Sequence, residues 1–322
     1  MPVPDVSEKW SAAIKRVTIG ATREQGGTRT STVTVGGARC IPFIEADGDL
    51  GERPVIAVEV WDIPGDEWAP ELKARYGDAL SDPAKWAEKA VEFGADLICL
   101  KLMGIHPDYG DRSADEAADV VKAVLEAVGV PLIVWGCDVQ EKDAAVLPKC
   151  TAVAAGENCL FGSAKEKDYR TLVAACLADK HKLICESPLD INIAKQVNIL
   201  VTDVGYNLED IIIYHTTGAL GYGMEYCYSI MERGRVAALG GDKLLQQPVL
   251  SNVGFEAWRA KECEASDEEL PDMGPAAERG PTWEAVTATD LLQAGSDILV
   301  MRHPKAIEIV KTAIDRLWPG SE

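Results

Sequence analysis

The chain has 322 residues, 47% of them hydrophobic, which is enough to bury a large core in one domain or two. Its 52 acidic residues outnumber its 32 basic residues, so the net charge is −20 and the pI is near 4.6. Nucleic acids and anionic membranes bind basic surfaces, so neither is expected as a partner.

The compartment is predicted from what the sequence lacks. Residues 1–10 contain no apolar run typical of a signal peptide, and no apolar stretch approaches the roughly 18 residues that span a membrane. The nine cysteines form no C-x-x-C pair, and several of them, such as Cys99, Cys159 and Cys185, lie inside strand-like runs. We therefore expect a cytoplasmic protein with buried, reduced thiols rather than a disulfide framework or a metal cluster.

The first predicted element is a β-hairpin. Within residues 1–54, two runs rich in β-branched residues flank a turn region at Gly26 and Gly27. We expect this segment to form an N-terminal extension that covers one end of the domain that follows.

From residue 55 onward, short runs rich in Val and Ile alternate with longer segments of helical spacing. The predicted strands are 55–61, 96–102, 131–137, 158–163, 182–187, 210–215, 248–253 and 297–302. The predicted helices are 83–93, 114–128, 142–155, 165–179, 192–204, 225–239, 283–294 and 304–317. Glycine follows most of these helices, as is typical of helix C-termini.

Eight strand-helix units predict an α/β fold of the (β/α)8 TIM-barrel type, spanning residues 55–322. A doubly wound open sheet is the alternative, but no G-x-G-x-x-G motif follows the first strand of this region. Residues 255–282 are expected to form a long acidic loop after the seventh strand, on the C-terminal face where barrel sites are built.

Two strand-to-helix loops carry the strongest signal for a ligand. The first, after residue 186, holds Ser187, Asp190 and Asn192, and the second, after residue 215, is rich in Thr and Gly. Loops of small, hydroxylated and amide residues suit a large polar ligand that needs many hydrogen bonds. They contain no nucleophile-base pair, so no catalytic residue is predicted.

Lys101 is a candidate for Schiff-base chemistry because it lies late on a predicted strand. Such a lysine needs a lowered pKa, which an acidic neighbourhood opposes. The competing interpretation is that its charge pairs with a carboxylate across the barrel, such as Glu59.

The histidines bear on a possible metal site, and the glycines bear on a possible anion site. Only His215 of the four histidines is at a predicted strand end, so no converging metal-ligand set is predicted. The backbone of residues 218–223 is able to bind a phosphate at a helix N-terminus, to bind amide groups, or simply to form a tight turn.

Six segments together resemble one family. They are GATREQGGTRTSTVTVGG (20–37), RPVIAVEVWD (53–62), ESPLDINIAKQVNI (186–199), GALGYGMEYCYSIMERGR (218–235), GFEAWRAKE (254–262) and WEAVTATDLLQAGSDILVMRHP (283–304). In order and spacing they resemble the small, or delta, subunit of the corrinoid/iron–sulfur protein of the acetyl-CoA synthase/decarbonylase (Wood–Ljungdahl) system.

The resemblance implies a TIM barrel that binds a corrinoid (cobalamin) cofactor together with a large, or gamma, subunit, which carries the iron–sulfur cluster. It implies a heterodimer that moves a methyl group from methyltetrahydrofolate, through a separate methyltransferase, to the nickel A-cluster of acetyl-CoA synthase. The small subunit alone then has little or no activity. No metal ligand and no iron–sulfur cluster are expected on this chain.

If the ligand is a corrinoid, its amide groups are expected to contact polar residues after the fifth, sixth and seventh barrel strands. The candidate cofactor-binding residues are Ser187, Asp190, Asn192, Thr216, Thr217, Gly218, Gly221, Tyr222, Gly223 and Asn252. The alternative is an autonomous pterin-binding methyltransferase that uses Asp190, Asn192 and Asn252.

One position departs from the family pattern. The family usually has Asp-Pro before the Thr-Gly loop, whereas this chain has Tyr214 and His215. His215 also supplies half of the D-x-H-x-x-G motif of corrinoid modules, but residue 213 is Ile, so the hydrogen bond that orients the imidazole is missing. We therefore expect His215 to contact the residues that bind the ligand rather than the ligand itself.

Overall fold

The computed structural model describes residue 4 and residues 7–318. Its ten strands are β1 (Arg16–Ile19), β2 (Val33–Gly36), β3 (Val55–Trp61), β4 (Leu97–Lys101), β5 (Leu132–Trp135), β6 (Leu160–Ala164), β7 (Lys182–Ser187), β8 (Ile211–His215), β9 (Val249–Ser251) and β10 (Ile298–Met301). Strands β3 to β10 pair in parallel, in chain order, and β10 closes the barrel against β3. All eight predicted barrel strands are confirmed.

The helices are α1 (Pro70–Tyr76), α2 (Pro83–Glu92), α3 (Ala114–Ala127), α4 (Gln140–Val153), α5 (Arg170–Asp179), α6 (Ile191–Asp203), α7 (Met224–Leu239), α8 (Val253–Ala257), α9 (Lys261–Glu264), α10 (Ala276–Gln293) and α11 (Pro304–Leu317). The eight predicted helices are present, and α1, α8 and α9 are additional. None of the helices in the described part of the chain is long and apolar enough to cross a membrane.

Helix α10 begins seven residues earlier than the sequence predicts, at Ala276 rather than Trp283. A Gly280-Pro281 pair normally indicates a helix break, because Pro lacks an N–H group and Gly is a poor helix former. Here a Cβ atom at Gly280 would lie 2.5 Å from the ring of Trp258. The close approach of this ring explains the glycine, and tertiary packing allows the helix to continue.

Side chains inside the barrel follow the two-residue alternation of each strand. In β3, Val55 and Ala57 belong to the interior cluster, and in β8, Ile212 and Tyr214 do. The other face of each strand packs against the surrounding helices in a second, larger cluster. Both faces are buried, which is why these strands are continuous apolar runs in the sequence.

Strands β1 and β2 form the predicted N-terminal hairpin, an antiparallel pair in which Arg16 faces Gly36. Its apolar face joins the interior barrel cluster. The Asn158 side chain, just before β6, donates hydrogen bonds to the carbonyl oxygens of Thr18 (3.0 Å) and Gly20 (3.1 Å). The hairpin therefore covers the N-terminal end of the barrel, as predicted; the domain boundary at residue 54 stays a prediction.

Candidate functional site

The C-terminal rim of β7 and β8 contains most of the predicted ligand-binding residues, and strand alternation separates them. Ser187 and His215 follow inward-facing residues, so both point outward, toward the helices. Their side chains are buried, and Ser187 Oγ lies 3.1 Å from His215 Nδ1. Burial lowers the pKa of His215 to about 4, so this imidazole is neutral at pH 7.

Two other predicted residues are engaged in local structure. Asp190 is the N-cap of α6, where Oδ1 accepts hydrogen bonds from the backbone N–H groups of Asn192 (2.7 Å) and Ile193 (3.2 Å). Thr217 is buried, and its Oγ1 accepts a hydrogen bond from the backbone of Asn252 at 2.8 Å. Both contacts shape the rim; the one made by Thr217 is buried, whereas the one made by Asp190 is exposed.

The geometry of the β8–α7 turn requires its glycines. A Cβ atom at Gly218 would lie 2.4 Å from the carbonyl oxygen of Gly223, and the φ angles of Gly221 and Gly223 are 73° and 92°. The indole of Trp283 donates to the Leu220 carbonyl at 3.0 Å, which fixes the turn against α10. The tight-turn interpretation therefore accounts for these glycines without a phosphate.

Three of the remaining predicted residues face solvent on the same rim, whereas Asn252, after β9, is buried. Asn192 and Thr216 are exposed, and Tyr222 is 47% exposed while its hydroxyl donates to Glu262 Oε2 at 2.8 Å. Two apolar neighbours are also exposed, Leu189 by 38% and Tyr226 by 66%. The rim thus offers apolar surface next to neutral hydrogen-bonding groups.

Within the barrel mouth, Glu59 binds two cations. Its Oε1 lies 2.7 Å from Arg302 Nη2 and 3.8 Å from Lys101 Nζ, and it accepts the indole N–H of Trp61 at 2.6 Å. Burial by itself would raise the pKa of Glu59, but Arg302 and Lys101 outweigh burial and lower it. Lys101 is therefore a counter-ion of Glu59, as the competing interpretation predicted, and not a free amine for Schiff-base chemistry.

Comparison with known proteins decides the family. A family model described as CO dehydrogenase/acetyl-CoA synthase delta subunit matches residues 16–313. The chain belongs to this delta-subunit family. The resemblance derived from the six sequence segments is thereby confirmed.

Several delta subunits of acetyl-CoA decarbonylase/synthase complexes are similar to this chain over nearly its whole length. The protein of Archaeoglobus fulgidus is 38% identical over 96% of the chain and 70% of its own length. The delta 1 protein of Methanosarcina thermophila is 37% identical over 99% of the chain and 74% of its own length. The protein of Methanopyrus kandleri is 36% identical over 95% and 76%, respectively.

Solved structures confirm the barrel fold. A dihydropteroate synthase from Coxiella burnetii in complex with pteroic acid superposes with a TM-score of 0.57, at 16% identity, over 82% of this chain and 94% of the enzyme. The dihydropteroate synthase of Vibrio fischeri gives 0.56 at 14% identity, over 83% and 94%. At such low identity the likeness concerns the fold alone.

The structure locates Tyr214 and His215, the two residues expected to depart from the family pattern. Tyr214 points into the barrel, where its ring contacts Trp135 edge to face with centroids 5.0 Å apart. His215 points outward and bonds to Ser187. Both side chains are buried below the rim, so the exposed Thr216 begins the rim surface in this delta-subunit barrel.

The sequence analysis missed one polar cluster of the delta-subunit barrel. Glu186 continues the inward face of β7, and its carboxylate accepts a hydrogen bond from Ser163 and lies 3.5 Å from Lys165 Nζ. Lys165 also lies 3.0 Å from Asp138 Oδ1. Burial raises the pKa of Glu186. The signal that identifies Glu186 is its spacing of two residues from the buried Ile184.

No group of three or more His, Cys, Asp or Glu residues in residues 4 and 7–318 is arranged to hold a metal ion. All nine cysteines are buried as free thiols, in agreement with the sequence. Burial raises the pKa of several of them, for example that of Cys99 to about 12, so they are protonated and inert at neutral pH.

Proposed function

We propose that this chain is the corrinoid-cradling subunit of a methyl-carrier protein. It pairs with a large subunit that carries the iron–sulfur cluster, and the corrinoid lies between the two. The carrier takes a methyl group from methyltetrahydrofolate, through a separate methyltransferase, and delivers it to the nickel A-cluster of acetyl-CoA synthase. Membership of the delta-subunit family is the observation that carries this proposal.

The exposed rim of β7 and β8 fits the chemistry of a corrin. A corrin ring has broad apolar faces and an edge of amide side chains, which donate and accept hydrogen bonds. Leu189 and Tyr226 offer apolar surface for the ring, and Thr216, Asn192 and the Tyr222 hydroxyl offer neutral polar groups for the amides. Neutral groups suit this ligand because a neutral amide does not need a counter-charge.

The proposed role of the chain is to bind and orient its ligand, not to make or break bonds. A bound corrinoid supplies the cobalt centre that carries the methyl group. His215, buried and neutral, stays behind the rim and offers no imidazole to the ligand. The exposed apolar rim side chains exclude water from the ring face they cover.

The proposal is tested by coexpression with the large subunit. We expect a heterodimer that contains one cobalt per pair and has the visible spectrum of a corrinoid. The isolated chain is expected to bind corrinoid weakly. Tight, stoichiometric binding by the isolated chain would contradict a shared site.

Thr216→Val tests the rim directly, because Thr216 is exposed whereas Thr217 supports the Asn252 backbone. Loss of one neutral hydrogen bond is expected to weaken corrinoid retention by the heterodimer about 2- to 12-fold. Thr312→Val, an exposed threonine on α11, is the matched control. Equal corrinoid retention by both variants would remove Thr216 from the site.

The pterin-binding methyltransferase alternative has no comparable support. Of the three residues that it would use, Asp190 caps its own helix and Asn252 is buried. We expect the isolated chain not to transfer methyl groups from methyltetrahydrofolate to free cobalamin. Turnover by this chain alone would favour the alternative instead.

A further inference from the structure

A cleft opens on the C-terminal face beside β3 and β10, which lie four and three strands around the barrel from β7. Its volume is about 360 Å³, and five of its eleven lining residues are aromatic: Trp61, Trp68, Tyr109, Phe255 and Trp258. Aromatic walls with a few convergent polar groups are typical of sites for small organic ligands.

Arg302 lines this cleft and is only 5% exposed. Its guanidinium lies 4.5 Å from the ring centre of Trp68 and 5.4 Å from that of Phe255. Its Nη2 donates to Glu59, but its buried Nε–H has no protein acceptor. A charged donor without an acceptor in a desolvated place is costly, so this group points to a missing acceptor.

The buried charges around Arg302 are not fully balanced. Arg302 and Lys101 share the single carboxylate of Glu59. Glu256 pairs with Arg259 at 3.4 Å. Glu284 accepts hydrogen bonds from the Trp258 indole and two backbone N–H groups, and burial raises its pKa to about 7, so it is only partly ionised at neutral pH.

These features restrict the charge and the shape of the ligand that the cleft can bind. A cation would face Arg302 and Lys101, whose charges already contact the aromatic rings. Glu67 and Glu264, two exposed carboxylates that also line the cleft, disfavour a multiply charged anion such as phosphate more than a singly charged one. A single negative charge balances the excess among the buried charges, and a planar apolar body matches the aromatic walls.

We propose that this cleft binds a small aromatic carboxylate, with its ring among the Trp and Phe side chains and its carboxylate directed at Arg302. A guanidinium recognises a carboxylate with two parallel hydrogen bonds, and Arg302 has Nε–H still available. The inference does not rest on the corrinoid proposal, because it uses neither the β7–β8 rim nor the large subunit.

The test is calorimetric titration of the full chain, without corrinoid, against matched probes. We expect 2-naphthoate to bind saturably with one site. Three other probes are each expected to bind at least about ten-fold more weakly. They are cyclohexanecarboxylate, which lacks the aromatic ring, 2-naphthylmethylammonium, which reverses the charge, and inorganic phosphate. Equal binding of the ammonium probe, or no saturable binding of 2-naphthoate, would overturn the proposal.

Variants locate the site. The double variant Glu59→Gln with Arg302→Gln removes the guanidinium together with the carboxylate that it neutralises, and it is expected to weaken 2-naphthoate binding at least about ten-fold. Arg233→Gln, an exposed arginine on α7, is the control. If the double variant does not fold, Phe255→Ala is measured instead. It removes one aromatic wall of the cleft and is expected to weaken 2-naphthoate binding. Unchanged affinity in the folded variant would contradict the assignment.

Spectroscopy gives an independent readout. In a ¹H–¹⁵N spectrum, 2-naphthoate is expected to shift the indole signals of Trp61, Trp68 and Trp258 among the eight tryptophans of the chain. Shifts of other indole signals alone would place the probe elsewhere and overturn the proposal.

Discussion

At the scale of single residues, the alternation of strand side chains decides which polar groups reach the rim. Ser187 and Glu186 are neighbours in sequence, but Glu186 faces the barrel interior and Ser187 faces the helices. The same one-residue difference separates Tyr214 from His215. A polar residue at a strand end is thus a site candidate only if it continues the inward face or lies beyond the strand.

His215 leads to a prediction about acid stability. Its pKa is about 4 in the folded chain and near 6.5 in the unfolded chain, so below pH 6.5 the unfolded state binds more protons and stability falls as the pH falls. This residue is expected to lower the free energy of unfolding by about 2 kcal/mol between pH 7 and pH 5. His215→Gln should reduce the pH dependence by that amount in urea unfolding.

The other histidines provide the comparison for this experiment. Burial also lowers the pKa of His181 and that of His303, so part of the acid sensitivity is expected to persist in the variant. His106→Gln, in the loop after β4, is the control for removing a histidine as such. The same pH dependence in His215→Gln and in the unmodified chain would contradict the prediction.

At the scale of elements, the segment between β9 and α10 depends on one buried arginine. The Arg279 guanidinium donates to the backbone carbonyl oxygens of Glu262 (2.5 Å), Gly274 (2.7 Å) and Ala265. Residues 255–282 are predicted as a loop from the sequence, but they contain the end of α8, all of α9 and the start of α10. One side chain thereby supplies the donors that this irregular backbone lacks.

Arg279→Ala is therefore expected to loosen residues 260–275 while the barrel stays folded. Unpaired carbonyl groups should cost about 2–4 kcal/mol of local stability, because each lost bond involves a charged donor. Hydrogen exchange should show faster exchange in this segment only. Lys261→Ala, an exposed cation of the same segment, is the control and should leave exchange unchanged; equal exchange in both variants would refute the role of Arg279.

At the scale of the whole molecule, the hairpin and the barrel are joined by a buried ion pair. Arg29 Nε lies 2.8 Å from Glu157 Oε2, and Nη1 and Nη2 donate to the carbonyl oxygens of Val128 (2.6 Å) and Leu125 (2.5 Å) at the end of α3. The hairpin closes the end of the barrel opposite the rim. The C-terminal end of the barrel is thereby left open.

Arg29→Ala leaves the Glu157 carboxylate and the helix-terminal carbonyls without their donor. Loss of one partner of a buried pair is expected to cost about 3–5 kcal/mol in the free energy of unfolding. Chemical denaturation measures the change, and Arg23→Ala, an exposed arginine of the same hairpin, is the control with an expected effect below about 0.5 kcal/mol. A similar small effect for both would show that the ion pair does not join hairpin and barrel.

The sequence by itself determined the barrel, because strands buried on both faces are continuous apolar runs and the helices between them have their own period and end signals. The order and spacing of six sequence segments also identified the family. The start of α10 was not predictable, since Gly280 and Pro281 indicate a break until the Trp258 ring is placed against them. Only the tertiary structure separated the exposed Thr216 and Asn192 from the buried Ser187 and Thr217, and brought Arg302, Glu59 and Lys101 together. The physical reason is that these contacts join residues far apart in the chain, and their geometry depends on how the barrel closes.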